Sequence, residues 1–393
     1  MGFVLFYDIF RFSYLVIFTG LHAALMTGII LEWLRDKQAL KSAVEKKPCP
    51  SETGTREPPN VSVIIPVHNE SRRIEGLLRS LAAQDYPQAE LIFVDDRSQD
   101  ETPDMVAAFI QNLPEGAPAR MITLKENPGP NYKQYALARG IEVSSGEFIL
   151  FTDADCEMSP HWIQAMVTRM IDKRIGVAIG PVLKRSGGKG FFHLYQCFEH
   201  GIRYVYLAGA TGLGAAGGGF GNNLILRRAS LDAVGGYENV PPSPTEDAAL
   251  ISKIRSCSDY KIRSALAVDT HVITQGEDTW KSLVNQTLRW NNGGLFSPDT
   301  VTRFNYTFLV ITISMGILTL PLLPFIPSIW PLPIGVLASM TLNTIANLGL
   351  FGRSLPKQRL AYILTLLFTP VYFTFLTALG FWGIKPKWKD QAV

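Results

Sequence analysis

The stretch EFILFTDADC, residues 147–156, decides the fold of this chain. Its FILF run is continuously apolar, which predicts a strand buried on both faces, as in a parallel sheet covered by helices. Asp153 and Asp155 follow that strand directly. Ligands of open α/β sheets bind at the carboxyl edge, and side chains two apart in an extended chain point the same way. The stretch therefore predicts two acids facing a ligand; acids capping a following helix are the alternative.

The segments before this stretch alternate between strand-like and helix-like patterns. They are VSVIIP, residues 70–83, ELIFVDD, residues 102–112, ARMITL and residues 132–143. This βαβα order predicts a parallel sheet with crossover helices. The polar clusters PVHNE and DDRSQDET end the first two strands. Three such clusters at one edge of one sheet indicate a binding site, because capping explains one cluster but not all three.

Each cluster has a plausible ligand. Asp95 and Asp96 are suited to accept hydrogen bonds from a base imide and from ribose hydroxyls, and Glu70 is suited to hold a ribose. Neither GxGxxG nor GxxxxGK[ST] occurs directly after any of these strands, which argues against dinucleotide and P-loop binding. Acids in place of glycines indicate phosphates bound through a divalent cation. The carboxylates of Asp153 and Asp155 suit Mg²⁺ or Mn²⁺.

Two later stretches complete the pattern. SPTEDAALISKIRS places Glu246 and Asp247 at the start of an amphipathic helix, either as caps or as site residues. NQTLRWNNGG places Gln286, Arg289 and Trp290 on one side of a helix, at i, i+3 and i+4 spacing. An interfacial anchor is the alternative for the Arg and Trp, because an apolar segment begins soon afterwards.

The apolar residues predict a membrane protein. The chain has 393 residues, 47% of them hydrophobic, and long apolar runs cover 12–34, 308–326, 330–351 and 362–382. A secretory signal is the alternative for the first run. Basic residues follow this run, which by the positive-inside rule places the polar block in the cytoplasm, although the basic tail disagrees if all four runs cross.

The same patterns predict the domain boundaries. We expect a transmembrane anchor at 1–34, a flexible linker at 35–59, a catalytic domain at 60–300, transmembrane helices at 304–384 and a tail at 385–393. The four cysteines show no paired spacing, which argues against a zinc site or a disulfide framework. The net charge of +3 is too small to indicate nucleic acid as a partner.

Taken in order, PVHNE, VDDRSQDET, FTDADC, TED and QTLRW resemble membrane-bound family 2 glycosyltransferases of the GT-A fold, over residues 60–295. The resemblance implies an α/β, Rossmann-like, mostly parallel sheet in the cytoplasm, flanked by transmembrane helices in the inner membrane of a bacterium. It implies a nucleotide-sugar donor, expected to be a UDP-sugar, with Mg²⁺ or Mn²⁺ on its diphosphate. The implied acceptor is a lipid or lipid-linked hydroxyl, and oligomer formation is left open.

The resemblance also assigns roles to individual residues. The donor-binding residues are Pro66, Glu70, Asp95, Asp96, Lys133, Asp153, Gln286, Arg289 and Trp290. The metal ligands are Asp153 and Asp155. The catalytic base is Asp247, and the acceptor site comprises Glu246, Asp247, Gly221, Asn222 and Trp290. A base without a nucleophile predicts inversion at the anomeric carbon. The alternatives are a processive polysaccharide synthase, a silent nucleotide-sugar sensor and a small transporter.

One segment departs from the family pattern. Residues 208–223, AGATGLGAAGGGFGNN, are far richer in glycine than expected, which indicates either close approach of backbone to a ligand or a flexible loop. The aromatic stretch before them, FFHLYQCFEHGIRYVYLAG, predicts a helix. We expect it to lie on the membrane surface and guide a lipid, with a core helix as the alternative.

Overall fold

The computed structural model describes residues 2–45, 58–357, 359–388 and 391–392. The chain divides into two compact units. The helical unit comprises Met1–Ile30, Ser186–Ala215 and Gly276–Val393. The sheet unit comprises Leu31–Arg185 and Ala216–Gln275. Residues 46–57 of the predicted linker and parts of the predicted tail lie outside the described residues.

The described residues form strands in both units. They are β1 (Val61–Val67), β2 (Ala89–Asp95), β3 (Ala119–Thr123), β4 (Phe148–Phe151), β5 (Cys156–Met158), β6 (Ile175–Ile179), β7 (Val182–Arg185), β8 (Leu224–Arg227), β9 (Lys261–Ser264), β10 (Val272–Gln275), β11 (Lys387–Trp388) and β12 (Gln391–Ala392).

The α-helices connect these strands or follow them. They are α1 (Gly2–Glu45), α2 (Ile74–Ala82), α3 (Thr102–Gln111), α4 (Tyr132–Val143), α5 (Trp162–Thr168), α6 (Phe191–Gly212), α7 (Arg228–Asp232), α8 (Glu246–Cys257), α9 (Trp280–Leu295), α10 (Thr300–Leu318), α11 (Pro331–Phe351) and α12 (Arg359–Phe381).

A seven-stranded sheet in the order β3-β2-β1-β4-β8-β6-β9 is the centre of the sheet unit. Its first four strands are mutually parallel, as the alternating sequence pattern predicts. Strands β1, β2 and β4 are mostly buried because helices supply crossovers between them, and β4 is buried at every position, whereas β3 forms the partly exposed edge. Strand β8 runs antiparallel to both β4 and β6, while β6 and β9 are parallel. The expected fold class, an α/β domain with a mostly parallel sheet, is confirmed; its cytoplasmic placement stays a prediction.

Helix α2 begins later than its apolar pattern predicts. Its buried face is Ile74, Leu77, Leu78 and Leu81, at the spacing of one helix stripe. The expected start at residue 70 is wrong, because residues 68–73 form a loop held by hydrogen bonds to the loop that follows β2. This delay leaves the polar residues after β1 in a loop at the carboxyl edge of the sheet.

Helix α1 is longer than the predicted anchor. It continues to Glu45, so residues 35–45 are helical where the sequence predicts the start of the linker. Two of its acids hold this extension within the sheet unit. The Glu32 carboxylate accepts a 2.7 Å hydrogen bond from the Ser264 amide of β9. Asp36 accepts hydrogen bonds of 2.7 and 3.0 Å from the guanidinium of Arg169.

Within the described residues, four helical segments are long and apolar enough to cross a membrane. They are Phe10–Ser42, Thr300–Leu322, Pro327–Phe351 and Tyr362–Phe381. They agree with the four apolar runs of the sequence. Two or more turns of each expose large hydrophobic side chains, as lipid contact requires.

Helix α6 is buried rather than superficial. Most of its residues are buried, including its aromatic residues Tyr195, Phe198 and Tyr204, and it packs on α11 and α12. The expectation of a surface helix is therefore wrong, because its aromatic residues pack on neighbouring helices.

The glycine-rich segment after it is also partly helical, since α6 continues to Gly212. Gly209 and Gly212 pack directly on the backbone of α1, where a Cβ atom has no room.

Candidate active site

The acidic residues predicted to bind the donor lie at one edge of the central sheet. The parallel register pairs Val67 of β1 with Asp95 of β2, and Ile64 of β1 with Phe151 of β4. The carboxyl ends of these strands therefore point the same way, so Asp95, Asp96 and the DAD segment follow the same edge. Pro66 lies one residue before the end of β1. The shared edge agrees with a single donor site, although the role of each residue stays a prediction.

Asp95 and Asp96 are both buried and use part of their hydrogen-bonding capacity within the loop. Asp95 Oδ1 accepts a 3.1 Å bond from the Ser98 amide. Asp96 accepts from the Arg97 side chain at 2.8 Å and from Asn127 Nδ2 at 2.9 Å. Each carboxylate is thus held in one orientation by its neighbours, as a group that reads a fixed ligand requires.

Asp96 has several neighbours that were not predicted from the sequence. Arg97 has a positive φ of 60° and its guanidinium lies 4.7 Å from the centre of the Tyr132 ring. Asn127 Nδ2 also donates to the Tyr132 carbonyl at 3.0 Å. Asn127 follows β3, which ends at Thr123, so the same strand-end rule that found the acids predicts it. Nothing in the sequence spacing indicates the stacking of Arg97 on Tyr132.

Glu70 belongs to the loop that delays α2. Its amide donates a 2.8 Å hydrogen bond to Thr102 Oγ1. The neighbouring Ser71 amide donates to Asp100, which also accepts from Thr102. Glu70 is close enough to Asp155 for its charge to raise the pKa of that residue, after the larger effects of burial and Asp153. The loop thus brings Glu70 towards the DAD acids; ribose binding stays a prediction.

The DAD acids lie in a turn rather than in extended chain. The Cys156 amide donates a 3.2 Å bond to the Asp153 carbonyl, which closes the turn between β4 and β5. The expectation of extended chain at this point is wrong, because the chain reverses into a second, three-stranded sheet. The capping alternative is also excluded: α5 begins at Trp162 and no side-chain bond caps it.

Asp155 is held in this turn by Thr274. Its Oδ2 accepts a 2.8 Å hydrogen bond from Thr274 Oγ1 of β10. Burial raises the pKa of Asp155 above its ordinary value, and the charge of Asp153 raises it further, while the Thr274 bond lowers it. The two acids therefore repel each other in a buried place, which a bound cation relieves.

Lys133 of α4 connects the DAD acids to the TED segment. Its Nζ lies 2.7 Å from Asp153 Oδ1 and 2.9 Å from Oδ2, and it lies 3.3 Å from Glu246 Oε1. Burial by itself lowers the pKa of Lys133, but Asp153 and Glu246 raise it by more. Lys133 stays charged, and its ammonium group contacts one acid of each motif.

The TED acids begin α8 beside the end of the glycine-rich segment. Asp247 Oδ1 accepts a 2.9 Å hydrogen bond from the Ala248 amide, and the N-cap residue, Thr245, makes no side-chain cap bond. A Cβ atom on Gly221 would lie 3.2 Å from the Asp247 Cβ and 3.3 Å from a Glu246 oxygen. Gly221 therefore permits close approach of its backbone to both acids.

Asn222 extends this arrangement back to the DAD turn. Its Nδ2 lies 3.4 Å from the Cys156 sulfur. Residues 221–222 thus contact the TED acids on one side and the DAD turn on the other. The glycine-rich segment was expected either to approach a ligand or to be flexible; it packs between two acidic motifs, and the acceptor-site role of these residues stays a prediction.

The donor set of this edge fits a divalent cation. Asp153 and Asp155 offer hard carboxylate oxygens, the ligands that Mg²⁺ and Mn²⁺ prefer. The part of the chain that the structure describes contains no group of three or more His, Cys, Asp or Glu side chains that would hold an ion by itself. Two carboxylates in repulsion fit an ion that takes its other ligands from a diphosphate and water.

Gln286, Arg289 and Trp290 lie on α9 of the helical unit, each half-buried. Gln286 Nε2 donates a 2.8 Å bond to Glu277 Oε1. The Trp290 ring lies 5.4 Å from the ring of His200, and the Arg203 guanidinium lies 5.1 Å from the Trp290 ring centre. The motif is helical, as predicted, and the acids belong to the sheet unit. Closing of the motif over donor and acceptor stays a prediction.

Part of the chain matches a known protein family. Residues 62–235 match the model of glycosyl transferase family 2. This range begins in β1 and contains the edge that carries Asp95, Asp96, Asp153 and Asp155. The sheet edge with these acids therefore lies in a domain that matches this family.

Two curated relatives agree with the class. The chain is 27% identical over 252 residues to a probable glycosyltransferase, YdaM, of Bacillus subtilis, an alignment that covers 61% of this chain and 56% of the relative. It is 24% identical over 279 residues to a beta-monoglucosyldiacylglycerol synthase of Trichormus variabilis, covering 68% of this chain and 58% of the relative. The chain thus spans just over half the length of these two relatives.

A solved structure shares the fold. The mannosyltransferase PcManGT of Pyrobaculum calidifontis, solved with GDP-Man and Mn²⁺, aligns with a TM-score of 0.52 at 20% identity. The alignment covers 94% of this chain and 99% of that protein. The similarity supports the GT-A fold predicted from the sequence.

Proposed function

We propose that this chain transfers a sugar from a UDP-sugar to a hydroxyl of a lipid or lipid-linked acceptor at the bacterial inner membrane. One observation carries the proposal. The Lys133 ammonium lies 2.7 Å from Asp153 and 3.3 Å from Glu246, which brings the diphosphate-binding motif and the motif of the base together in one unit. Asp95 and Asp96 follow β2 at the same sheet edge, and we assign them to the nucleoside.

In this proposal each acid has a different task. Asp247 takes the proton of the acceptor hydroxyl as that oxygen attacks the anomeric carbon, which inverts its configuration. Asp153 and Asp155 would hold Mg²⁺ or Mn²⁺, which supplies positive charge against the departing diphosphate. Lys133 adds a second positive charge beside Asp153. Asp95 and Asp96 orient the nucleoside.

A lipid acceptor is supported by the apolar helices and by one relative. Four helical segments of this chain are long and apolar enough to cross a membrane, which supports an acceptor that lies in the bilayer. The Trichormus variabilis relative is named for synthesis of a glucosyl diacylglycerol. We therefore propose diacylglycerol as the first acceptor to test, with the catalytic domain in the cytoplasm, where nucleotide sugars are available.

A transfer assay tests the proposal. The full chain is placed in lipid nanodiscs that contain diacylglycerol and is incubated with Mn²⁺. Each reaction contains one labelled donor: UDP-glucose, UDP-galactose, UDP-N-acetylglucosamine or GDP-mannose. We expect a UDP-sugar to label the extracted lipid. NMR of the product should show that the anomeric configuration is inverted relative to the donor. Label only from GDP-mannose would refute the UDP assignment, and a ladder of growing glycans would support a processive synthase.

Two variants make the assay specific. Asp247→Asn removes the proposed base, and we expect it to abolish labelling. Asp232→Asn is the matched control, because Asp232 is an exposed acid at the end of α7. Helix α7 begins at Arg228, whose amide bonds the Glu147 carbonyl at the other edge of the sheet, so labelling should be unchanged. Equal labelling in both variants would contradict the proposed base.

A further inference from the structure

Helix α6 buries a stripe of polar side chains that the proposed mechanism does not use. Gln196, Glu199, His200 and Arg203 recur at i, i+3, i+4 and i+7, which places them on one helical face. Gln196, Glu199 and His200 are buried, and the Arg203 side chain is 13% exposed. Burying a polar or charged group is unfavourable unless it has partners. The position of these partners therefore indicates what the stripe does.

The charged half of the stripe supports the tryptophan of QTLRW. The guanidinium of Arg203 lies 5.1 Å from the centre of the Trp290 ring and 5.0 Å from that of Phe373, so it is stacked between two aromatic rings. Glu199 forms an ion pair with Arg203 and fixes the guanidinium. The His200 ring lies 5.4 Å from the Trp290 ring. Cations stack most favourably on tryptophan, and most strongly where water is excluded.

The uncharged half of the stripe supports the glutamine of the same motif. The Glu277 amide donates a 2.7 Å hydrogen bond to Gln196 Oε1, and Gln196 Nε2 donates a 3.0 Å bond to the Glu277 carbonyl. The carboxylate of Glu277 accepts a 2.8 Å bond from Gln286 Nε2. Gln196 therefore fixes the backbone of Glu277, and Glu277 fixes Gln286.

We propose that Gln196, Glu199 and Arg203 are positioning residues that hold Gln286 and Trp290 in their working orientation. This inference rests on the proposed function and on the roles in donor and acceptor binding that the family resemblance assigns to Gln286 and Trp290. The physical reason is that a reacting constellation tolerates little displacement, and a misplacement of about 1 Å can cost roughly 10²-fold in rate. Side chains on a helix surface stay in place only when packing and hydrogen bonds restrict their rotamers.

A double-mutant cycle between Arg203 and Trp290 tests the proposal. We expect Arg203→Met to lower kcat by about 10- to 10²-fold with donor Kd nearly unchanged. In a Trp290→Ala background the same substitution should change kcat by less than about twofold, because Arg203 acts through the indole. Arg203→Lys keeps the charge and should recover part of the loss. Independent, multiplying losses would overturn the proposal, because they would indicate a general effect on the fold.

The control is another arginine that stacks on an aromatic ring. Arg139 lies 5.3 Å from the Tyr135 ring centre and pairs with Glu142 at 2.7 Å, outside the proposed site. Arg139→Met should leave kcat within about twofold of the parent. A loss as large as that of Arg203→Met would contradict a specific role for Arg203.

A spectroscopic measurement separates this inference from the proposed function. The fluorescence of Trp290 is obtained by subtraction. The emission spectrum of the same protein with Trp290→Ala is subtracted from the spectrum of the protein with Trp290. We expect this difference spectrum to change in Arg203→Met and in Glu199→Gln, and to stay the same in Arg139→Met. An unchanged spectrum would overturn the positioning role. A parent that transfers no sugar would refute the proposed function alone, because emission needs no turnover. Gln196→Ala, which removes no charge, repeats the kinetic test if the charged variants fail to fold.

Discussion

Two groups of buried charged side chains in the sheet unit differ in the balance between acids and bases. Around Lys133 the acids outnumber the bases, because Asp153 and Glu246 contact one ammonium group and the charge of Asp155 opposes that of Asp153. Around Arg169 the charges match: its Nε and Nη2 donate to the two oxygens of Asp36, and its Nη1 donates to the Ala165 carbonyl at 2.9 Å. Both groups are largely removed from water.

The difference in balance separates a ligand site from a structural contact. A buried acid is tolerated when a base neutralises it, as the bidentate Arg169–Asp36 pair does. We propose that the surplus of acid beside Lys133 is balanced by a metal ion that binds together with a nucleotide diphosphate. The balanced pair instead joins the end of α1 to α5 and requires no ligand. The predictions below test this distinction, beginning with the largest expected effect on turnover.

The largest effect is expected at Asp247. Asn keeps the shape of Asp but cannot accept a proton at neutral pH. If general base catalysis supplies about 10²- to 10⁴-fold, Asp247→Asn should lose at least that much in turnover. Calorimetry should show nearly unchanged affinity for the UDP-sugar. An active but less stable variant would mean that Asp247 is only a helix cap, which is worth up to about 2 kcal/mol.

The next largest effect is expected at Asp155. Removing partners of metal ligands typically costs about 10- to 100-fold in metal affinity, and a ligand itself should cost at least as much. Asp155→Asn should therefore weaken Mn²⁺-dependent UDP binding and turnover together. Titration of UDP with and without Mn²⁺ measures this effect. If the parent protein binds UDP equally well with and without Mn²⁺, UDP binding requires no cation at this edge.

The balanced pair should respond in stability alone. Arg169→Met leaves Asp36 buried without a partner, which should lower the free energy of unfolding by about 3 to 5 kcal/mol. Turnover per folded molecule should not change. The double variant Arg169→Met, Asp36→Leu should recover most of the stability, because two apolar side chains replace both charges. Melting curves of the three proteins in one detergent make the comparison, and a loss of donor affinity in the double variant would contradict a purely structural role.

The smallest effect comes from a buried group that is kept neutral. Burial lowers the pKa of His271 from 6.5 to about 4, against a smaller opposite effect of a backbone hydrogen bond. Between pH 6.5 and 4 the unfolded chain binds a proton that the folded chain does not, so stability falls as the pH falls. The slope is at most about 1.4 kcal/mol per pH unit.

Histidine variants isolate this contribution. His271→Leu should flatten the decline of stability between pH 6.5 and 4.5, as measured by denaturant unfolding at each pH. His161→Gln is the control, because this exposed histidine pairs with Asp85 at the surface and should leave the decline in place. An equal slope in parent and His271→Leu would mean that other groups cause the decline.

Local pattern was sufficient to predict the parallel half of the sheet and the acids at its edge. Each strand from β1 to β4 is a short apolar run followed by polar residues, and right-handed crossovers then bring their ends to one edge. Asp95, Asp96, Asp153 and Asp155 could be found in this way because each lies within a few residues of its own strand end. The GT-A fold was predicted from the same motifs.

Tertiary structure alone decided the contacts that join distant segments. Lys133 and Glu246 are far apart in sequence, as are Asp155 and Thr274, and no periodicity indicates that they meet. The burial of α6 was also decided by packing, since an aromatic, amphipathic helix suits a membrane surface and a core equally well. The sequence by itself thus determined which polar side chains follow the strands, because the apolar periods of strands and helices depend only on residues that are close in sequence. The neighbours that orient those groups depend on long-range packing, which only the folded chain specifies.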